Sequence, residues 1–360
     1  MIHTRVRTSQ GVFQTDLPPE DLHSSLDDPG SLIWVDLESP SEDELGLIGG
    51  ILRWDHLTIE DLTKQGQRGK LEHFDDYVLL VMHSLSYDGD PPTLNTPEFD
   101  FVIGANYIVT THYVPLPHIT EAREVVGHTE AILGQGRDYL LYMLSDRLVD
   151  SYFPVLDAMH EAVDDLEDQI VSNPSNELLS RIFAMKRDSV KLRKAMSPQV
   201  EVFSRLTAPG LGIVTEDQVV YFRDVHDHLL RAFETVETYR ELMSGALDAY
   251  LSNVSNRMNE VMKRLTVVAA LFLPITFVTG LLGMNLRETP AWQDSLFRIF
   301  LAAMAIFTAI QYVFFRRRGW AQLEGTESLE TGDTDTKEDS VSNLVHPGSV
   351  STRWICLTDF

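Results

Sequence analysis

Cysteine is almost missing from this chain. The single Cys356 cannot form an intrachain disulfide, and there is no Cys-x-x-Cys pair for zinc or redox chemistry. The phosphate loop Gly-x-x-x-x-Gly-Lys-[Ser/Thr], the Gly-x-Ser-x-Gly elbow and the Gly-x-Gly-x-x-Gly turn are also missing, and Gly66-Gln-Arg-Gly-Lys70 is too short for the first. These absences argue against an enzyme and against ATP as an energy source. The 12 histidines include no His-Glu-x-x-His, and His226 and His228, two apart on a predicted helix, point to different faces, so no histidine metal site is expected. The opening MIHTRVRTSQG has no apolar core and does not read as a signal peptide. Positive charge is scarce too, with 29 Lys and Arg against 54 Asp and Glu and a net charge of −25, which argues against nucleic acid as a partner. A concentrated negative field attracts cations; an acidic surface that only keeps molecules apart would give the same count.

Long apolar stretches are present, and the chain is organised around them. Leu265 to Leu282 is uncharged and mostly apolar, and at about 1.5 Å per residue it spans roughly 27 Å, close to the hydrocarbon thickness of a bilayer. A second run, Leu296 to Phe315, carries only Arg298 as a charge. Lys263 and Arg264 precede the first run and Arg316, Arg317 and Arg318 follow the second, which predicts two spans with both chain ends cytoplasmic. The loop from Gly283 to Ser295, opening with Gly283-Met284-Asn285, is then the external segment.

Residues 1–130 read as an α/β domain. SLIWVDL, YVLLVMHSLSY and FDFVIGANYIVTTHY read as strands, the last a hairpin turning at Gly104-Ala105-Asn106. SPSEDELGLIGGIL opens a helix with a capping box, Ser41 three residues before Glu44, and DHLTIEDL adds another helical segment. Residues 137–206 take helix period and predict an antiparallel hairpin of two helices broken at Asn173-Pro174, with Asp157, Glu161, Asp164, Asp165, Glu167 and Asp168 crowding one end. The longest pattern runs over 215–283 with no break before Pro274. About 68 residues of helix measure roughly 100 Å, too long to bury against its own domain, so the pattern calls for identical neighbours. Residues 316–360 form a basic cluster and an acidic tail of disordered composition.

On the first span Asn259, Met262, Leu265, Ala269, Leu273, Thr276 and Gly280 recur three or four apart and share one face. They read either as a helix-packing stripe, where small residues also recur, or as the lining of a pore.

The chain resembles the CorA family of magnesium and cobalt transporters. The resemblance rests on Gly283-Met284-Asn285 at the exit of the first of two C-terminal spans. WVDLESPSEDEL, HLTIEDL and QRGKLEHFDDYVLLVMHSL add to it, as does the whole of YFRDVHDHLLRAFETVETYRELMSGALDAYLSNVSNRMNEVMKRLT. It implies a homopentameric funnel in the cell (inner) membrane: a cytoplasmic α/β domain, an acidic helical hairpin, a stalk helix continuing into transmembrane helix 1, an external loop over 284–295 and transmembrane helix 2 over 296–315. It further implies passive uptake of magnesium, with cobalt and nickel as competing ions. No cofactor is implied beyond Mg2+ as transported and regulatory ion. By position, Gly283, Met284 and Asn285 form the selectivity ring, Met262 and Leu265 the hydrophobic constriction, and Asp61 and Asp224 a regulatory metal site across the subunit boundary. Two features depart from the family: Arg287 stands before Glu288 where acid is common, and about forty residues follow the basic cluster. A zinc transporter of the ZntB type and a non-conducting membrane scaffold remain the alternatives.

Overall fold

The first sheet strand to bury both faces shows why the N-terminal half folds in layers. In a strand successive side chains point to opposite sides, and in LIWVDLE both sides are apolar, so two cores form at once. The computed structural model describes residues 1–88, 93–128, 130–172, 174–208, 213–283, 294–318 and 320. It divides into two compact units, Met1–Asn259 and Glu260–Phe360.

The first unit opens with β1 (Ile2–Arg7), β2 (Phe13–Thr15), α1 (Leu22–Leu26) and β3 (Leu32–Glu38). Helices α2 (Glu42–Leu52) and α3 (His56–Thr63) lead to β4 (Lys70–His73) and β5 (Val78–His83). The short β6 (Ser86–Asp88) and β7 (Thr93–Asn95) pair with each other, and β8 (Glu98–Ile103) and β9 (Tyr107–His112) form the next hairpin. Helices α4 (Pro117–His128), α5 (Glu130–Gly134), α6 (Arg137–Asp150), α7 (Tyr152–Ser172) and α8 (Asn176–Leu206) follow, then α9 (Val219–Gly283) and α10 (Asp294–Arg317). The seven-stranded sheet has the order β2-β1-β3-β9-β8-β5-β4, with only β3 and β9 parallel.

From β3, Ile33, Val35 and Leu37 enter a core shared with Leu45, Ile48 and Leu52 of α2 and Leu62 of α3. Leu32 and Trp34 enter the opposite core, with Ile119, Ala122 and Val126 of α4 and the buried faces of α6 to α9. Each such buried apolar side chain contributes about 1.5–3 kcal/mol. The capping box forms as expected: Glu44 N–H donates to Ser41 Oγ at 3.2 Å and Ser41 N–H to Glu44 Oε2 at 2.8 Å. The β8–β9 turn falls on residues 104–106, and a Cβ on Gly104 would lie 2.1 Å from the Tyr107 ring, so only glycine closes it.

Three findings differ from expectation. β1 was not foreseen in the opening residues, yet it pairs with β3 along its whole length. The helical segment contains three helices, because α6 stops at Asp150. Pro154, in the first turn of α7, has no N–H to offer the Asp150 carbonyl, so the ladder cannot continue there. The long helix starts at Val219, not 215, and does bury one stripe against its own chain. Phe222, Val225, Leu229, Ala232, Val236, Tyr239, Met243, Ala246 and Tyr250 alternate in steps of three and four and are all buried. Tyr239 Oη donates to Leu156 O at 3.0 Å and Asn253 Nδ2 to Ile170 O at 2.7 Å, so α9 runs parallel to α7. Beyond Tyr250 the stripe ends, and Leu251, Val254 and Met258 are exposed.

In the second unit, α9 passes Pro274 without interruption. Val267 is buried, and Ala270, Leu271, Pro274, Ile275 and Val278 are half-buried. Leu271 and Ile275 share a groove with Leu301, Met304, Ala305, Thr308, Ala309 and Tyr312 of α10. Among the described residues one helix, α9, is long and apolar enough to cross a membrane, and its apolar window is hardly buried within the chain.

Candidate cation sites

The seven residues singled out on α9 form one continuous exposed face. Asn259, Met262, Leu265, Ala269, Leu273, Thr276 and Gly280 are all exposed in the chain, whereas the face that shares a groove with α10 carries Leu271 and Ile275. A packing stripe within the chain is therefore a different set of residues. Leu273 is 73% exposed and a Cβ on Gly280 would touch nothing within 4 Å, so neither residue is explained by contacts inside one chain. Thr276 Oγ1 donates to Phe272 O at 2.9 Å, which leaves its oxygen lone pairs free to accept from a passing water or to meet a cation. Gly283 is the last residue of α9; Met284 and Asn285 lie outside the described residues, as does the loop carrying Arg287.

Asp61, near the end of α3, is not a lone acid. Lys70 Nζ stands 2.6 Å from its Oδ2 and 3.1 Å from Glu72 Oε2. Burial alone would lower the Lys70 ammonium, but the hydrogen bonds to Asp61 and Glu72 outweigh it and hold its pKa above the ordinary lysine value. Behind this pair Glu98 accepts Gly66 N–H and Gln67 N–H, each at 2.7 Å. Burial pushes the Glu98 carboxyl up, and it pushes the enclosed Asp100 carboxyl further up, with the Glu98 charge adding to the effect.

Asp224, in the second turn of α9, sits in a separate cluster. His228, one turn further on, places Nε2 3.9 Å from Asp224 Oδ1 and Nδ1 3.6 Å from Asp150 Oδ1. Asp146, Asp150 and His228 each bring one ligand atom within 4.8 Å of the others, an arrangement of two carboxylates and an imidazole that can hold a divalent ion. Half-burial, then the Asp150 charge, raises the Asp146 carboxyl. The same acids, after burial, push Tyr142 up to about 12. His226 and His228 do face different ways, but His228 meets carboxylates from α6, which spacing along α9 alone could not reveal. Asp146, Asp150, His228 and Lys70 are thus the residues that sequence reasoning missed. Single acids on amphipathic helices carry no signal until the partner helix is placed beside them.

Asp61 and Asp224 therefore belong to different clusters within one chain. Their meeting across a subunit boundary depends on a second copy.

Residues 29–317 match the family described as CorA-like Mg2+ transporter protein. The cobalt/magnesium transport protein CorA of Thermotoga maritima is 36% identical over 267 residues, covering 73% of this chain and 76% of that protein. The protein of the same name from Methanocaldococcus jannaschii is 24% identical over 80% of this chain and 91% of its own. The complete structure of the CorA magnesium transporter from M. jannaschii superposes with a TM-score of 0.75 at 22% identity, covering 89% of this chain and 98% of that one. The ZntB cytoplasmic domain from Vibrio parahaemolyticus is similar in fold, with a TM-score of 0.56 at 14% identity, over 71% of this chain and 99% of that one. On the extent of the family match and the identity to the Thermotoga relative, the chain belongs to the CorA-like Mg2+ transporter family.

Proposed function

We propose that this protein is a homopentameric, channel-like transporter that takes up magnesium passively, with cobalt and nickel as competing ions, through two C-terminal spans with both ends in the cytoplasm. The observation that carries this reading is the exposed α9 face, whose polar Asn259, apolar Met262 and Leu265, and Thr276 hydroxyl lead to Gly283-Met284-Asn285. In a ring of copies this face would line the axis, and apolar side chains at Met262 and Leu265 would stop ions by dewetting until the helices part. Magnesium sheds water reluctantly, so neutral oxygens that hold its water shell suit it better than a cage of ligands. Uptake by proteoliposomes of magnesium, cobalt and zinc in parallel tests the reading. Zinc preferred over magnesium would favour the ZntB type, and no flux of any ion would favour the scaffold.

Opening the collar gives a second test. Met262→Gly and Leu265→Gly should each raise magnesium leak at high cytoplasmic magnesium, because a wider and less apolar constriction wets more easily. Unchanged leak in both would put the gate elsewhere.

The third test addresses regulation. Asp61 of one copy and Asp224 of its neighbour would share a magnesium ion when cytoplasmic magnesium is high, holding the stalk helices closed. The ion can shift the gate only by its differential affinity for the closed state. Asp61→Asn with Asp224→Asn should weaken magnesium protection against protease and move inhibition of uptake to higher internal magnesium. Wild-type protection in the double variant would leave both aspartates as surface residues.

A further inference from the structure

Lys70 occupies the carboxylate that the regulatory ion would need. Its ammonium lies 2.6 Å from Asp61 Oδ2, and its side chain is only 26% exposed. The placement is built in by the surrounding backbone. Glu98 holds the Gly66 and Gln67 N–H groups, and the Gln67 side-chain amide donates to the Asp61 carbonyl at 2.5 Å, so the end of α3, the loop and the start of β4 are tied together around the lysine. Asp100, behind Glu98, is buried with Oδ1 unpartnered, and burial raises its carboxyl well above the ordinary aspartate range, so the acids that hold the ammonium are Asp61 and Glu72.

We infer that Lys70 is a tethered substitute for the divalent cation at Asp61, and that it sets the magnesium concentration at which the cytoplasmic site responds. The inference rests on the reading of Asp61 as a cation ligand. An ammonium and a magnesium ion compete for the same oxygen lone pairs, and a tethered competitor acts at a high effective concentration that bulk salt does not match. Displacement does not strand the lysine. Glu72 Oε2 is already 3.1 Å away, so Lys70 can turn to it and remain paired, which avoids the large cost of leaving a half-buried charge without a partner. The incoming ion then brings two charges where the ammonium brought one, and the surplus is available to Asp224 of a neighbouring copy.

The experiment is a magnesium titration of protease protection on the full-length assembled protein, with Lys70→Gln, Lys70→Arg and Asp61→Asn compared with wild type and each variant confirmed as the intact oligomer by size exclusion. Lys70→Gln should lower the half-protecting magnesium concentration roughly two- to fivefold, the range of a single partly exposed ion pair, while Lys70→Arg, which keeps the competing charge, should not. An unchanged or raised midpoint in Lys70→Gln, with Asp61→Asn weakening protection, would overturn the role of Lys70 and leave Asp61 as a ligand. A wild-type midpoint in Asp61→Asn would remove the ligand itself and the inference with it.

Discussion

Asn285→Ala should abolish magnesium uptake by proteoliposomes while the oligomer elutes unchanged. Asn285 follows in sequence the helix that ends at Gly283, and the proposed pore would have its side-chain carbonyl at the mouth. A hydrated magnesium ion presents strongly polarised water hydrogens to such acceptors. One charge-assisted hydrogen bond is worth about 1.5–3 kcal/mol, already tenfold or more in occupancy, and a symmetric ring loses every copy at once. Alanine keeps the backbone and removes the acceptor, so binding at the mouth is lost without a change in helix packing. Near-normal flux from a correctly assembled variant would rule out the proposed filter. The loss should hold for cobalt as well, because it acts on the water shell and not on the metal.

The second large effect is on stability and lies far from the membrane. Asp36 of β3 is 1% exposed and organises a buried polar network. Thr110 Oγ1 donates to its Oδ1 at 2.6 Å while accepting Trp34 Nε1–H at 3.1 Å. Arg123 of α4 approaches Oδ2 at 3.2 Å and Glu38 at 3.0 Å. His112 Nδ1 bonds Val114 O at 2.7 Å, which places the proton there and turns Nε2 towards Asp36 at 3.5 Å. Asp36→Ala leaves the buried His112 without its anion and the half-buried Arg123 with Glu38 alone. Breaking a buried pair in this way costs about 3–5 kcal/mol, so the melting temperature followed by tryptophan fluorescence should fall sharply. Asp36→Asn, which keeps an acceptor for Thr110, should fall less. An unchanged melting temperature in Asp36→Ala would show that the network is dispensable.

The network also predicts a pH dependence. Burial pulls the His112 pKa down, but the hydrogen bond to Asp36 and its charge prevail and leave it raised above 6.5. A raised histidine pKa contributes stability that is fully present below the unfolded value and is lost as pH rises through the folded value. Wild-type stability should therefore decline as pH climbs from below 6.5 into the alkaline side of that window. In Asp36→Asn burial is opposed only by the Val114 carbonyl and the Glu38 charge, and the decline should shrink.

Much of the architecture follows from local rules that operate within a few residues. The Ser41–Glu44 capping box and the Gly104 turn are decided by spacing, side-chain chemistry and steric room, and both stand in the structure as read. The break at Ser151 is also local, set by Pro154, but the apolar period runs across it and masks it. What needed the tertiary structure was whatever depends on a distant partner. β1 is a strand because β3 offers it an antiparallel edge about thirty residues away, and its own polar composition gives little sign of this. Asp61 is neutralised because the chain returns nine residues later with Lys70 on a strand beside it. His228 becomes a potential ligand because α6 lays Asp146 and Asp150 against it, some eighty residues apart in sequence. Hydrophobic period specifies which face of an element is buried, whereas the pairing of charges is set by which faces the folded chain brings within a few ångströms, and Coulomb attraction acts only after that proximity exists.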